Sequence, residues 1–404
     1  MSRIILAPDI VIDGSGAAPM AGQAVVIDDE IIAQVAPISD LSTADRDTAI
    51  RLAGKTVIPG LINNHVHLVL PGDNTPFVPW IDLQSDASLA LMATHNIQTS
   101  LRAGVTTVRD CGGRREVILD VRNARVANLI DGAAVISCGW TLTITGGHTR
   151  QFGGEVDGEV DLARAVRKVI SRGADYVKVM AAGGGTPGTF SQYPSFTESE
   201  LRAIVETAHG LGKLVCAHCI ATSSIENAIN AGVDLIEHAS FFGPSLIPQF
   251  DQRVAEKLAA SGIPVTPTLQ VNRDLVDLLD EGDERTMWQR RQETQRKIVH
   301  KLQEFGVPLL AGSDAGWRAT AFDTFWKELD ELVECGLRPV DAIHAATGAV
   351  TVALGYDDFG TIRPGQRADV VVVDGDLTSD IRALQQVEMV IQHGKIAYER
   401  SVQA

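Results

Sequence analysis

Two histidines one residue apart close an apolar run in "VIPGLINNHVHLVLPG", residues 57–72. Side chains at i and i+2 of a strand share a face, so His65 and His67 point the same way. A lone histidine there reads as a polar strand cap, whereas a pair at this spacing is a metal-ligand pattern. Four more β-type runs end in a residue of ligand type: Lys178 in "YVKVMAAGG", His218 in "CAHC", His238 in "IEHAS" and Asp314 in "AGSDAG". Imidazole and carboxylate donors suit zinc, and also manganese, cobalt or iron. Lys178 alternates with Val177 and Val179 and faces the interior. An unpaired ammonium buried beside metal ions is costly. Two readings follow: the lysine salt-bridges an acid such as Asp314, or its amine has added carbon dioxide to give a carbamate, an anion able to bridge two divalent ions.

These residues act together only if their strands converge. The apolar runs "TVIPGLINNHVH", "VTTVRDCGG", "AAVISCGW", "DYVKVMAAGGG", "KLVCAHC", "DLIEHASF", "IPVTPTL" and "VPLLAGSDAG" alternate with helical patterns, several of which end in glycine. Repeated βα units predict an α/β fold, a (β/α)8 TIM barrel over residues 57–359, whose strand C-termini meet at one cavity. A doubly wound sheet needs a glycine-rich dinucleotide turn after the first strand, and "NNHVHLVLPG" is not one. Residues 1–56 and 360–404 carry short alternating strands such as "GQAVVIDDEIIAQVAP" and "ADVVVVDGD". Neither end can bury two faces alone, so together they are expected to form a small β-sandwich domain.

Composition narrows the function. The 404 residues carry a formal net charge of −16, which repels phosphate backbones and anionic membranes, so neither nucleic acid nor membrane is expected as a partner. The N-terminus has no signal-peptide pattern, and no apolar stretch is long enough for a span. Five cysteines, an odd count, read as reduced thiols in a cytoplasmic protein. The Cys216–Cys219 pair lacks the second pair of a structural zinc site.

"VIPGLINNHVHL", "GADYVKVMAAGG", "AGVDLIEHAS", "AGSDAG" and "GTIRPGQRADVVVVDGD" together resemble the metal-dependent amidohydrolase superfamily nearly end to end. The branch they are most similar to is the imidazolonepropionase-like and prolidase-like one, with Xaa-Pro dipeptidases, carboxypeptidases and ochratoxin-degrading amidases. The resemblance implies two divalent metal ions, with zinc expected. His65, His67, Lys178 and Asp314 would hold one, and carbamylated Lys178, His218 and His238 the other. "GWTLTITGGHTRQFGG" is similar to the segment whose histidine contacts substrate, here His148. Relatives assemble, so a homo-oligomer is expected.

The chemistry expected of such a site is hydrolysis of a small-molecule amide by metal-activated hydroxide, with Asp314 as general base and then acid and His148 on the developing oxyanion. A deaminase would place a glutamate where Ala221 stands, and a non-catalytic relative would have lost ligands. Lactone, carbamate or ester hydrolysis uses the same attack. Candidates for the substrate pocket are Trp140, Thr149, Arg150, Tyr193, Gln270, Asn272, Trp317 and Arg318. Arg150 or Arg318 could pair with a substrate carboxylate, and Trp317 and Tyr193 could wall an apolar group. The segment "LVLPGDNTPFVPW" is a candidate lid, or else a rigid surface loop.

Overall fold

A computed structural model describes residues 2–400. Both chain ends build one eight-stranded sheet. Its order is Lys395–Glu399, Val387–Gln392, Val370–Asp374, Ile50–Pro59, Arg3–Val11, Gln23–Asp28 and Ile31–Pro37, with Met20–Ala21 paired to Arg3–Val11. The sheet folds over on itself. The Ile32 amide donates to the Gln366 carbonyl at 2.8 Å, and Leu6, Val25, Val57, Val370 and Ile391 share one apolar core. The strand Ile50–Pro59 passes through Gly60 directly into Leu61–Val66, so residues 57–59 lie in this sheet and the barrel begins at Leu61.

The barrel staves follow in chain order. Leu61–Val66, Val105–Asp110 and Ala134–Ser137 pair in parallel, as do Val177–Met180, Val215–Ala221, Leu235–Phe242 and Val265–Thr266. Single bridges join the two sets: Leu142 to Val179, Val265 to Leu309 and Val66 to Ala315. The eighth run therefore closes the ring without a regular ladder. Its backbone still bonds to both neighbours: the Asn64 and His67 amides donate to the Ala311 and Ala315 carbonyls at 3.1 and 2.8 Å, and the Leu310 amide donates to the Val265 carbonyl at 2.8 Å. A Cβ at Gly312 would lie 2.8 Å from His65 Cβ and 2.6 Å from Thr266 Cγ2. Only glycine fits there.

Helices cover the outside. Glu198–His209 shows how the sequence sets one: Thr197 Oγ1 accepts from the Glu200 amide at 3.3 Å, and Glu200 Oε2 accepts from the Thr197 amide at 2.9 Å. This reciprocal cap satisfies two otherwise free donors. Leu201, Ile204, Val205 and Ala208 then bury one stripe at helical spacing. Among the described residues, no helix is long and apolar enough to cross a membrane, and all five cysteines are buried and unpaired.

Candidate metal centre and substrate chamber

The C-terminal ends of the staves enclose a cavity of about 240 Å³ lined by His65, His67, His148, Lys178, His218, His238 and Asp314. Ring centroids lie 5.4 Å apart for His65–His67, 5.0 Å for His65–His238, 4.5 Å for His218–His238 and 4.8 Å for His148–His218. The sixth and eighth runs leave ordinary strand geometry as they reach this point: His238 and Asp314 adopt φ of +68° and +60°. Such conformations are disfavoured for non-glycine residues and concentrate at functional sites.

Each imidazole has one nitrogen anchored, and the anchors decide what the other can do. His65 Nδ1 meets Glu237 Oε2 at 2.6 Å, His67 Nδ1 meets the Gly112 carbonyl at 3.0 Å, and His218 Nε2 meets the Gly183 carbonyl at 3.1 Å. Carboxylate and carbonyl only accept, so these nitrogens carry the proton and the opposite nitrogen keeps a lone pair. His238 Nδ1 lies 2.6 Å from Thr268 Oγ1, whose own proton goes to the Pro267 carbonyl at 2.8 Å. His238 Nε2 is therefore also a lone-pair donor. His148 differs. Its Nδ1 lies 2.8 Å from Thr186 Oγ1, which accepts from the Thr149 amide at 3.0 Å. A hydroxyl oxygen accepts two hydrogen bonds and donates one, so Thr186 Oγ1 is able to donate to Nδ1 or to accept from it; donation puts the His148 proton on Nε2. Four imidazoles have one nitrogen held by a protein oxygen and the other turned to the chamber, and His148 is held by Thr186.

Electrostatics separate His65 from the other four imidazoles: burial lowers its pKa, but Cys111, Glu237 and Asp314 outweigh burial and hold it well above the usual histidine range. Burial lowers the pKa of His67 to about 4. Burial, with neighbouring imidazoles, holds His148, His218 and His238 well below the usual histidine range. All four are neutral at pH 7. Burial pushes the Asp314 carboxyl up, but His65, His67 and His238 more than offset it, and the group is held well below the carboxylate range. Asp314 Oδ1 lies 3.4 Å from both His65 Nε2 and His67 Nε2 and has no hydrogen-bond partner among the described residues. A buried anionic oxygen between two inward lone pairs is costly by itself and fits a divalent cation. His65, His67 and Asp314 place their ligand atoms within 4.8 Å of one another.

Lys178 is buried, and among the described residues its Nζ reaches Glu237 Oε1 and Cys216 Sγ, each at 4.0 Å. Its acidic neighbour is thus Glu237, where the sequence suggested Asp314. Glu237 itself escaped the sequence reading. It accepts from Arg109 NH1 at 2.8 Å and from Cys216 Sγ at 2.7 Å, while also holding His65. Strand alternation sends adjacent residues to opposite faces, yet Glu237 and His238 both point inward. The left-handed backbone at His238 makes that possible. The available signal was a charge inside each of two apolar runs, Arg109 in "VTTVRD" and Glu237 in "DLIEHA".

The other candidates divide. Trp317, Arg318 and Asn272 line the chamber. Arg150 instead turns its NH1 to the carbonyls of Gly146 and Pro187, at 3.4 and 3.2 Å, outside the chamber wall. Tyr193 is 52 % exposed on the loop whose Ser191 reaches the wall. Trp140 packs in the core, Thr149 supports His148 through Thr186, and Gln270 bonds Asp274 and Thr324. In the candidate lid, Phe77 packs on Trp317 with centroids 4.9 Å apart, and Trp80 Nε1 donates to the Val69 carbonyl at 3.0 Å. The segment therefore buttresses Trp317. Sequence reasoning missed Trp288 and Arg291, because they lie in the mostly polar helix Asp283–Glu304, which shows no pocket pattern.

Gly184 faces His148 closely: a Cβ there would lie 2.4 Å from His148 Nε2. Gly184→Ala is expected to displace the imidazole and lower kcat/KM by about 100-fold, the scale of an ångström-level misplacement. Metal content and Tm should stay near wild type. Steady-state kinetics beside metal analysis checks this.

Residues 56–397 match the amidohydrolase family. The ochratoxinase of Aspergillus niger is 29% identical over 422 residues, covering 96% of this chain and 84% of that protein. Its crystal structure superposes with a TM-score of 0.84 at 26% identity, covering 99% of this chain and 96% of that one. A Xaa-Pro dipeptidase with methionine bound in its active site gives a TM-score of 0.87 at 28% identity, covering 99% and 100%. The imidazolonepropionase of Nocardia farcinica is 25% identical, covering 87% of this chain and 85% of that protein.

Proposed function

The chain belongs to the amidohydrolase family and is a hydrolase of carbon–nitrogen bonds, and from that premise we propose that it cleaves the amide of a dipeptide, N-acyl amino acid or ochratoxin-like compound. The observation that carries this reading is the convergence of five buried imidazoles, each anchored through one ring nitrogen, around the unpartnered carboxylate oxygen of Asp314. His65, His67, Lys178 and Asp314 would hold one divalent ion, and Lys178, as its carbamate, with His218 and His238 would hold a second; zinc suits this donor set. Bound there, such ions supply Lewis acidity, lowering the pKa of water and polarising a carbonyl.

The chain's own groups do the rest. Asp314 accepts the proton of the attacking water and returns it to the departing nitrogen, so it ends the cycle as it began. Hydroxyl is added to the acyl carbon and hydrogen to the amine, which balances the hydrolysis. His148 Nε2–H donates to the carbonyl oxygen as negative charge grows on it, with the Thr186 hydroxyl hydrogen-bonded to the other ring nitrogen. The amino acid held by the Xaa-Pro dipeptidase relative supports an amine product of that kind.

A screen of dipeptides and N-acyl amino acids against zinc-reconstituted protein, read by amine release, tests the reading. Turnover of at least one class is expected. Protein that holds two metals per chain yet releases amine from none of them rules it out.

A further inference from the structure

Two arginines face the chamber without an acid. Among the described residues, neither Arg291 nor Arg318 has a carboxylate within 4.0 Å, in contrast to Arg109, Arg114, Arg122, Arg273 and Arg296. Arg291 Nε is buried without a hydrogen-bond partner. Both guanidiniums sit against one ring: Arg291 Cζ is 4.7 Å and Arg318 Cζ 5.9 Å from the Trp288 centroid, and Arg291 also stacks 4.9 Å from Phe242. Two like charges over one indole repel. Burial, and then Arg318, pull the pKa of Arg291 down to about 10. The arginine stays charged at neutral pH, in a protein whose net charge is −16, with no acid of its own.

The chain positions this pair rigidly. Trp288, Arg291 and Gln295 fall at i, i+3 and i+7 on one face of the helix Asp283–Glu304, and all three line the chamber. Gln295 Nε2 donates to the His238 carbonyl at 3.3 Å, tying that face to the stave that carries a metal-type ligand. Arg291 is one helical turn from that tie. Arg318 lies four residues past Asp314, in the turn that closes the eighth run.

We propose that Arg291, together with Arg318, determines specificity by binding the free carboxylate of the substrate's amine half. This rests on the hydrolytic reading above and narrows it. Asp314 returns a proton to the departing nitrogen, and Arg318 extends from the same turn. The carboxylate therefore belongs to the residue that leaves as amine. The substrate class is an amide whose nitrogen belongs to an α-amino acid with a free carboxyl group: an N-acyl amino acid or the carboxy-terminal residue of a dipeptide. Arg150, facing backbone carbonyls, has no part in this recognition. Met180, Ile220, Val271 and Leu275 supply an apolar wall for the substrate body.

The test uses metal-loaded full-length protein and two probes, N-acetyl-L-phenylalanine and its carboxamide, in calorimetric binding and in turnover. Wild type is expected to bind the carboxylate at least about 10-fold tighter than the carboxamide, with the same preference in kcat/KM. Arg291→Gln should abolish the preference, mainly through the carboxylate probe, while Arg291→Lys retains part of it, because an ammonium keeps charge but not the planar fork. Arg318→Gln should weaken it as well. Overturning results are a preference that survives in both glutamine variants, or an equal loss for both probes, which marks the arginines as scaffold. Should Arg291→Gln fail to fold, the Arg291→Lys and Arg318→Gln comparison decides. Binding preference without turnover counts against the hydrolytic reading alone; turnover without preference counts against this assignment alone.

Discussion

Asp314→Asn is expected to lower kcat/KM by about 10⁴-fold, the upper range for loss of one positioned acid–base group. Asparagine keeps the carbonyl oxygen and the side-chain shape but takes no proton at neutral pH. Among the described residues Asp314 Oδ1 has no hydrogen-bond partner, so the change removes few packing or folding contacts. The variant should fold and show a Tm close to wild type. Its metal content separates two roles. Full metal occupancy with the expected loss isolates proton transfer, and reduced occupancy points to a ligand. Asp314→Asn that retains a tenth of wild-type kcat/KM with full metal content removes Asp314 from the role of base.

Glu237→Ala should cost about 3–5 kcal/mol of stability, the range for breaking a buried ion pair from one side. Arg109 and Glu237 are both fully buried and meet at 2.8 Å. Arg109 keeps the Asn64 carbonyl at 2.9 Å, Cys111 Sγ at 3.7 Å and a stack on Tyr176 at 4.1 Å; among the described residues its Nε and NH2 have no partner. Alanine would leave that cation without its counter-ion and would free the Nδ1 of His65. The sign with pH follows. Burial pushes the Glu237 carboxyl up, but Lys178, His65 and Arg109 bring it well below its usual value. Its contribution is thus complete above the unfolded pKa of about 4.3 and is lost as pH falls through the lower folded value. Urea unfolding at pH 7 checks the size, and Arg109→Met in the same chain should recover part of the loss. A cost below about 1 kcal/mol shows that the pair does not anchor the barrel floor.

Much of the centre could be read from sequence because strand periodicity is short and rigid. His65 and His67 at i and i+2 had to share a face, and the ends of parallel staves had to meet at one mouth of the barrel. What escaped depends on departures from that regularity. The eighth run joins its neighbours through isolated bridges and passes so near His65 and Thr266 that only glycine fits at 312. Glu237 turns inward beside His238 because the backbone there is left-handed. The Arg291 wall comes from a helix whose cavity face is a tryptophan, an arginine and a glutamine, a pattern that looks like solvent-facing sequence. Arg150 had the right chemistry, but its place in the turn Arg150–Phe152 aims it at backbone carbonyls. Long-range packing decides such cases, and no local spacing encodes it.

The passage from Ile50–Pro59 into Leu61–Val66 bears on biosynthesis. The stretch leading to His65 and His67 is clamped by Val370–Asp374, and the Gly60 amide is held by the Asp369 carbonyl at 2.8 Å. Those partners leave the ribosome some three hundred residues after the histidines do. A nascent chain therefore carries His65 and His67 beside an unlatched strand until Val370–Asp374 has been made, and products terminated before that strand lack its clamp.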